Sequence, residues 1–338
     1  MNDIIDEAIA SPSEASIANV LAFAGQDQLE LFELAKRLKG DRIFVRAEIL
    51  PSNYCRQNCL YCGNRRDNGA MKRYRITGRA LSDVTDAALA IPEVDFVSYL
   101  MSEDPGYPFD QLCEEIRKVY AAGKRVNLGL GDVPAEVLRK LHDAAGGEPI
   151  KYTLKIESGD ADHFRRVKDG YKLSARIDAL RRAINAGFEP CSGIIVGLPG
   201  QDTCMIARDL MFLKDFPGLA QASASVFSPI RNTPFGAFPK GNESTAFNFL
   251  ALLRILRNDR NLTTPISLYM SQEGRLAALE YFADTVTVEM MPAQRLPKFP
   301  FSIFDRAAGS YNRIPPQIRR RVDELSLELN NCRWHERY

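Results

Sequence analysis

An alternation of short apolar runs with amphipathic stretches restricts this chain more than any other feature. Eight runs rich in β-branched or apolar residues fall at 43–50, 95–101, 125–130, 151–156, 189–196, 221–227, 264–270 and 285–290. Segments with a helical apolar face, such as 109–122, 174–186, 202–216 and 244–256, lie between them. A strand, a helix and a further strand form a parallel crossover unit. An open doubly wound sheet is the rival arrangement. Eight strands in one block of roughly 250 residues favour closure, so the α/β class expected is a (β/α)8 TIM-type barrel over residues 41–292.

Ahead of the first strand, 16–39 reads as two short helices. Ile17, Val20, Leu21 and Phe23 mark one, and Leu29, Leu31, Phe32, Leu34, Ala35 and Leu38 the other. With the first residues they are expected to form an N-terminal helical cap over 1–40, on the amino-terminal side of the barrel. Three prolines between 292 and 300 force an extended or turning backbone before a basic helix around 316–330. Residues 293–338 are therefore expected to be a C-terminal helical extension that closes the barrel. The 44 lysines and arginines nearly balance 43 acidic residues, so no field suits a nucleic-acid backbone or an anionic membrane, and a small molecule is the expected partner. No apolar run reaches membrane-spanning length, and the first ten residues carry acids where a secretory signal carries bases, which gives a cytoplasmic expectation.

Seven cysteines are present, and Cys55, Cys59 and Cys62 crowd into eight residues directly after the first strand. That position is the carboxyl-terminal mouth of a barrel, where active sites sit. Three thiolates on one loop can hold three corners of an iron–sulfur cube, whereas a closed zinc or ferredoxin-type site takes four protein ligands. An iron without a protein ligand can bind the amino and carboxylate groups of S-adenosylmethionine. The alternative is a zinc site completed by Cys113 or a histidine, but His142, His163 and His335 stand at no ligand spacing. Cys113, Cys191, Cys204 and Cys332 are scattered and read as small core or surface residues.

The run Asn53-Tyr54-Cys55-Arg56-Gln57-Asn58-Cys59-Leu60-Tyr61-Cys62-Gly63 resembles the signature of the radical S-adenosylmethionine superfamily. With Arg65-Arg66-Asp67-Asn68 and Lys72-Arg73-Tyr74-Arg75 it is similar to the biotin synthase-like branch, in particular to the FeFe-hydrogenase maturases and methylornithine synthases. The resemblance runs from about residue 35 to 292 and implies a 4Fe-4S cluster on Cys55, Cys59 and Cys62, with S-adenosylmethionine as the second cofactor. It also implies an external one-electron reductant such as ferredoxin or flavodoxin. Tyr61 stands where it would lean toward the adenine or the cluster, or simply pack. Ser102-Glu103-Asp104-Pro105 matches the family turn that receives the methionyl ammonium, with serine in place of glycine. Glu157 and Arg176 match a glutamate and an arginine that contact the cofactor. Their chemistry suits ribose or ammonium donors and the methionyl carboxylate respectively. Gly197 and Leu198, at a glycine-rich strand exit, resemble the adenine-binding turn, and Ser228 to Pro234 matches a Pro-x-x-x-Thr-Pro loop.

The substrate is expected deeper in the barrel, against Tyr99, Met101, Asn127, Lys155, Ser225, Ser267, Tyr269 and Met290. A buried Lys155 needs an anionic partner, either a substrate carboxylate or Glu157. The Met101-Ser102 pair, Lys155 in place of an arginine, the stretch Pro292 to Phe299 without the tyrosines of that family, and the absence of a distal cysteine group after it depart from the hydrogenase maturases. The implied activity is reductive cleavage of S-adenosylmethionine to a 5′-deoxyadenosyl radical that removes hydrogen from a small, amino-acid-derived substrate. Hydrogenase cofactor maturation is the alternative within that chemistry. A non-catalytic iron–sulfur protein that carries electrons or senses redox state, and a zinc-stabilised nucleic-acid module, are alternatives of another class.

Overall fold

In a computed structural model the described residues are 3–41, 43–259, 261–266 and 271–290. The elements run α1 (Asp3–Ala10), α2 (Glu14–Leu21), α3 (Gly25–Lys39), β1 (Phe44–Ile49), α4 (Gly78–Leu89), β2 (Phe96–Leu100), α5 (Phe109–Ala121), β3 (Arg125–Gly129) and α6 (Ala135–Asp143). They continue with β4 (Lys151–Thr153), α7 (Ala161–Val167), α8 (Leu173–Asn185), β5 (Glu189–Val196), α9 (Thr203–Asp215), β6 (Gln221–Val226), α10 (Glu243–Arg257), α11 (Gln272–Tyr281) and β7 (Thr285–Glu289). All pairings are parallel, and the sheet order is β6-β5-β4-β3-β2-β1-β7. The expected barrel architecture is present as a curled sheet ringed by helices.

Seven strands are described where eight were expected. Of the run at 264–270, the described residues give an isolated bridge, Pro265 with Thr285, Thr263 just before it bridges Gln221, and the 267–270 portion, with Ser267 and Tyr269, lies outside the described residues. Those bridges nonetheless join the two edge strands at their amino-terminal ends. Thr263 exchanges backbone bonds with Ala220 and Ala222, and Ile266 donates to Thr285 O at 3.1 Å. β4 is also shorter than the expected 151–156, ending at Thr153, and the chain reaches a left-handed conformation at Glu157.

Alternation along the strands decides which side each residue faces. Val45, Ala47, Ile49, Val97, Tyr99, Val126, Leu128 and Tyr152 lie in one apolar cluster with residues of α4, α5, α6 and α8. A second cluster joins β5 and β6 to α9, α10, α11 and all three N-terminal helices. The two helices expected over 16–39 are α2 and α3, α1 precedes them, and all three pack in the cluster that holds α9, α10 and α11. Asn248, fully buried on α10, fixes them by donating to Leu21 O and Phe23 O at 3.1 and 2.9 Å. The expected extension 293–338 lies outside the described residues.

The opposite face of the sheet carries buried polar side chains, among them Arg46, Glu48, Ser98, Asn127 and Lys151. At the closing seam, Arg254 of α10 pairs with Asp284 at 2.8 Å and donates to Phe282 O and Thr264 Oγ1. Both partners are buried, so removing one strands the other charge. Arg254→Met is expected to destabilise the protein by about 3–5 kcal/mol, read as a lowered midpoint in equilibrium denaturation. A midpoint equal to wild type would show the seam to be held otherwise.

Candidate active site

The loop between β1 and α4 has no regular structure, so its polar groups must find partners among side chains. Asn53 accepts from Tyr74 N at 2.8 Å and donates to Lys72 O at 2.9 Å. The Arg73 guanidinium donates to the carbonyls of Asn53, Asn64 and Arg65 at 2.6, 2.9 and 2.6 Å. Asp104, buried at the end of β2, receives Arg75 through two hydrogen bonds of 2.6 and 2.7 Å and the Ser52 hydroxyl at 2.6 Å. Glu103 beside it accepts from Gln57 at 2.8 Å and pairs with Arg56 at 3.2 Å and Arg176 at 3.0 Å. On the other side Leu60 N donates to Val167 O at 2.9 Å, and Asn58 donates to Asp169 at 2.7 Å.

This frame presents Cys55, Cys59 and Cys62 as free thiols, Cys59 buried and the others partly so. Burial, with repulsion from Cys59, pushes the Cys62 thiol up to about 12, and burial also raises Cys55. The three thiols thus lie within electrostatic reach of one another. A bound cation or cluster reverses that effect by stabilising thiolates. Among the described residues no three His, Cys, Asp or Glu side chains converge closely enough for a single metal ion.

Cys62, Tyr61 and Gly63 border a cavity of about 340 Å³. Its wall continues over Lys155 and Glu157 beyond β4, Ser225 on β6, Met101 after β2, and Glu48 on β1. Lys155 Nζ lies 3.2 Å from Glu157 Oε2 and donates to Ser225 Oγ at 3.0 Å. Burial alone would raise the Glu157 carboxyl, but Lys155, Lys168 and Arg176 outweigh it and hold the group below its usual value. The buried Arg176 guanidinium lies over the Tyr171 ring at 5.4 Å, and its Nε has no hydrogen-bond partner. An orphaned guanidinium N–H is the donor a methionyl carboxylate would engage. The donor set therefore fits both a cluster and S-adenosylmethionine.

Several expected positions lie elsewhere. Tyr99 faces the helices, its hydroxyl 2.9 Å from Thr85 on α4, because the register puts Ser98 and Leu100 on the inner face. Asn127 sits on the inner face below the cavity, accepting from Thr153 at 2.9 Å. Met290 is buried in the first apolar cluster. Glu103 and Arg176 are not among the residues that line the cavity and pair with each other at 3.0 Å. A Cβ on Gly197, at φ 84°, would collide with the Gly241 backbone, so this glycine serves a chain crossing, while Leu198 packs with Val167 and Phe227. Glu48 was not anticipated, although charges at Arg46 and Glu48, two apart in an apolar strand, carry the signal.

A family model for the Radical SAM superfamily matches residues 49–213. The FeFe hydrogenase maturase subunit HydE of Thermotoga maritima is 34% identical over 237 residues, 69% of this chain and 66% of the maturase. The matched stretch thus spans just under two thirds of that relative. The 3-methylornithine synthase of Methanosarcina barkeri is 22% identical over 94% of this chain and 90% of that protein. A crystal structure of methylornithine synthase (PylB) superposes with a TM-score of 0.77 at 20% identity, covering 96% of both chains, which shows a shared fold.

Burial would raise the Asp104 carboxyl, yet Arg75, Ser52 and the Gly106 N–H together lower it. A lowered folded value means that this group contributes stability above its unfolded value of about 3.9. That contribution is lost as pH falls through the lower folded value. Asp104→Asn is expected to lose roughly 1.5–3 kcal/mol at neutral pH, the scale of hydrogen bonds to a charged group, and to abolish this part of the acid dependence. Faster hydrogen exchange across residues 52–76 is the measurement, and unchanged exchange there would contradict the clamp.

Proposed function

We propose that the chain is an enzyme of the radical SAM superfamily acting on a small, amino-acid-derived substrate held in the cavity beneath its cysteine loop. The observation that carries this reading is the arrangement of three free thiols on a braced loop, one of them opening onto a cavity with charges of both signs. When bound, the cluster and S-adenosylmethionine supply a one-electron cleavage that yields a 5′-deoxyadenosyl radical able to remove hydrogen from a substrate. Cys55, Cys59 and Cys62 hold the cluster. Arg176 receives the methionyl carboxylate, Glu157 accepts from its ammonium or from ribose hydroxyls, and Tyr61 lines the cofactor end. Gly197 and Leu198 shape the turn behind it, and Glu103 orients Arg176.

Glu48 on β1 adds a second carboxylate to a wall that already holds the Lys155–Glu157 pair, and charges of both signs support a substrate with both an amine and an acid group. Met101 and Ser225 line the same cavity. Ferredoxin or flavodoxin is the reductant expected, and a cytoplasmic setting suits thiols that must stay reduced. A second reading, assembly of the FeFe hydrogenase cofactor, draws on the 34% identity to HydE.

Anaerobic reconstitution with iron and sulfide is expected to give a brown protein that, with dithionite and S-adenosylmethionine, forms 5′-deoxyadenosine. Replacing all three cysteines with alanine should abolish both. A colourless protein that binds a single zinc would overturn the reading. Arg176→Ala should keep the cluster and weaken S-adenosylmethionine binding roughly tenfold to a hundredfold, the scale of a lost charge-assisted hydrogen bond. Unchanged affinity by equilibrium dialysis would remove Arg176 from the site.

A further inference from the structure

Three cations lie near the cofactor end of the cavity, and two of them have carboxylate partners: Lys155 with Glu157 and Arg176 with Glu103. Lys168 has none among the described residues. Its side chain is only 5% exposed, and it meets the faces of two rings, Tyr61 at 5.3 Å and Phe164 at 5.6 Å. Ring faces compensate a buried ammonium only in part. A charge placed there is expensive unless something negative arrives.

The segment carrying Lys168 is fastened to the cysteine loop on both sides of it. Val167 O accepts from Leu60 N, and Asp169 accepts from Asn58 while holding a left-handed φ of 52°. Lys168 is therefore registered against Tyr61, between Leu60 and Cys62. Its charge is felt at two cofactor positions, since it lowers both the Cys62 thiol and the Glu157 carboxyl.

Building on the assignment of the cluster to Cys55, Cys59 and Cys62, we propose that Lys168 is the cluster's fixed counter-charge and raises its reduction potential. Three thiolates outweigh the charge of the iron–sulfide core, and each electron accepted makes the assembly one unit more negative. A buried cation stabilises the reduced form more than the oxidised form, because the interaction grows with the added charge in a medium that screens poorly. Lys168 makes the entry of the electron easier and touches neither substrate nor the reacting bond, so it is a positioning residue.

The test compares Lys168→Met, which keeps the stem and removes the charge, with Lys168→Arg, which keeps the charge. Iron and sulfide content and the electron paramagnetic resonance signal of the reduced wild-type protein first establish the cluster. Their absence in the wild type would defeat the parent assignment, independently of Lys168. A potentiometric titration without S-adenosylmethionine is then expected to give a more negative midpoint for Lys168→Met and a near wild-type midpoint for Lys168→Arg. If the neutral variant fails to load iron while Lys168→Arg loads normally, the anionic assembly needs the charge and the proposal stands. A loaded Lys168→Met with an unchanged or more positive midpoint overturns it, as does equal loss of loading in both variants. Weakened S-adenosylmethionine binding at an unchanged midpoint would reassign Lys168 to the methionyl carboxylate and also overturn it.

Discussion

Three thiols on an irregular loop can share one inorganic group only if the loop is held still, and charged side chains do this rather than backbone ladders. Asp104 gathers Ser52 and Arg75, Glu103 gathers Arg56 and Gln57, and Arg73 satisfies three carbonyls from within. These contacts join the two halves of the loop to the end of β2, while α7 supports its far side through Leu60 and Asn58. Asp104 and Glu103 are buried, so the bonds they accept are in a setting where water competes poorly.

The rest of the fold follows from keeping the inner face of the sheet open to polar chemistry. In a closed barrel that face is commonly filled by branched apolar side chains. Here Arg46, Glu48, Ser98, Asn127 and Lys151 occupy it, and burial lowers Lys151 and raises Glu48. Apolar stabilisation must then come from the outer face, where two clusters sandwich the strands against the helices. The three N-terminal helices enlarge the second cluster, which otherwise has only β5, β6 and their helices to draw on.

What the sequence made legible was whatever depends on periodicity or on residue chemistry at close spacing. The strand–helix alternation located the sheet, the cysteine triplet marked the loop that borders the cavity, and the anion that Lys155 was expected to need is present in Glu157. Faces were harder to read where a strand is apolar on both sides. Phe96-Val97-Ser98-Tyr99-Leu100 offers no clean alternation, so Tyr99 was placed inward while its hydroxyl bonds Thr85 outside. Gly197 carries no mark of the crossing by Gly241, which is 44 residues away in the chain. Lys168 follows Arg165 and Arg166 and reads as one more solvated base; only the docking of α7 buries it.

Glu157 shows how a local backbone conformation and its surroundings jointly set a side chain. At φ 62° a residue with a Cβ is strained by about 1–3 kcal/mol, so neighbouring contacts must over-determine the turn. Glu157 exchanges backbone bonds with Gly193 and Ile195, which carries the line of β4 onto β5 after the ladder has ended. The next residue, Ser158, bonds buried His163, whose other ring nitrogen meets Pro199 O at 3.1 Å, so the turns after β4 and β5 are tied through one imidazole. Gly159 N donates to Asp209, a carboxyl that burial pushes up to about 7, fastening the turn to α9. Asp160 then caps α7, accepting from His163 N at 2.8 Å. The same few residues that impose the strain at Glu157 start the helix whose far end delivers Lys168. The carboxylate beside the cavity and the ammonium beside the cysteines are thus set by one continuous piece of chain, and their spacing cannot change without breaking the helix between them.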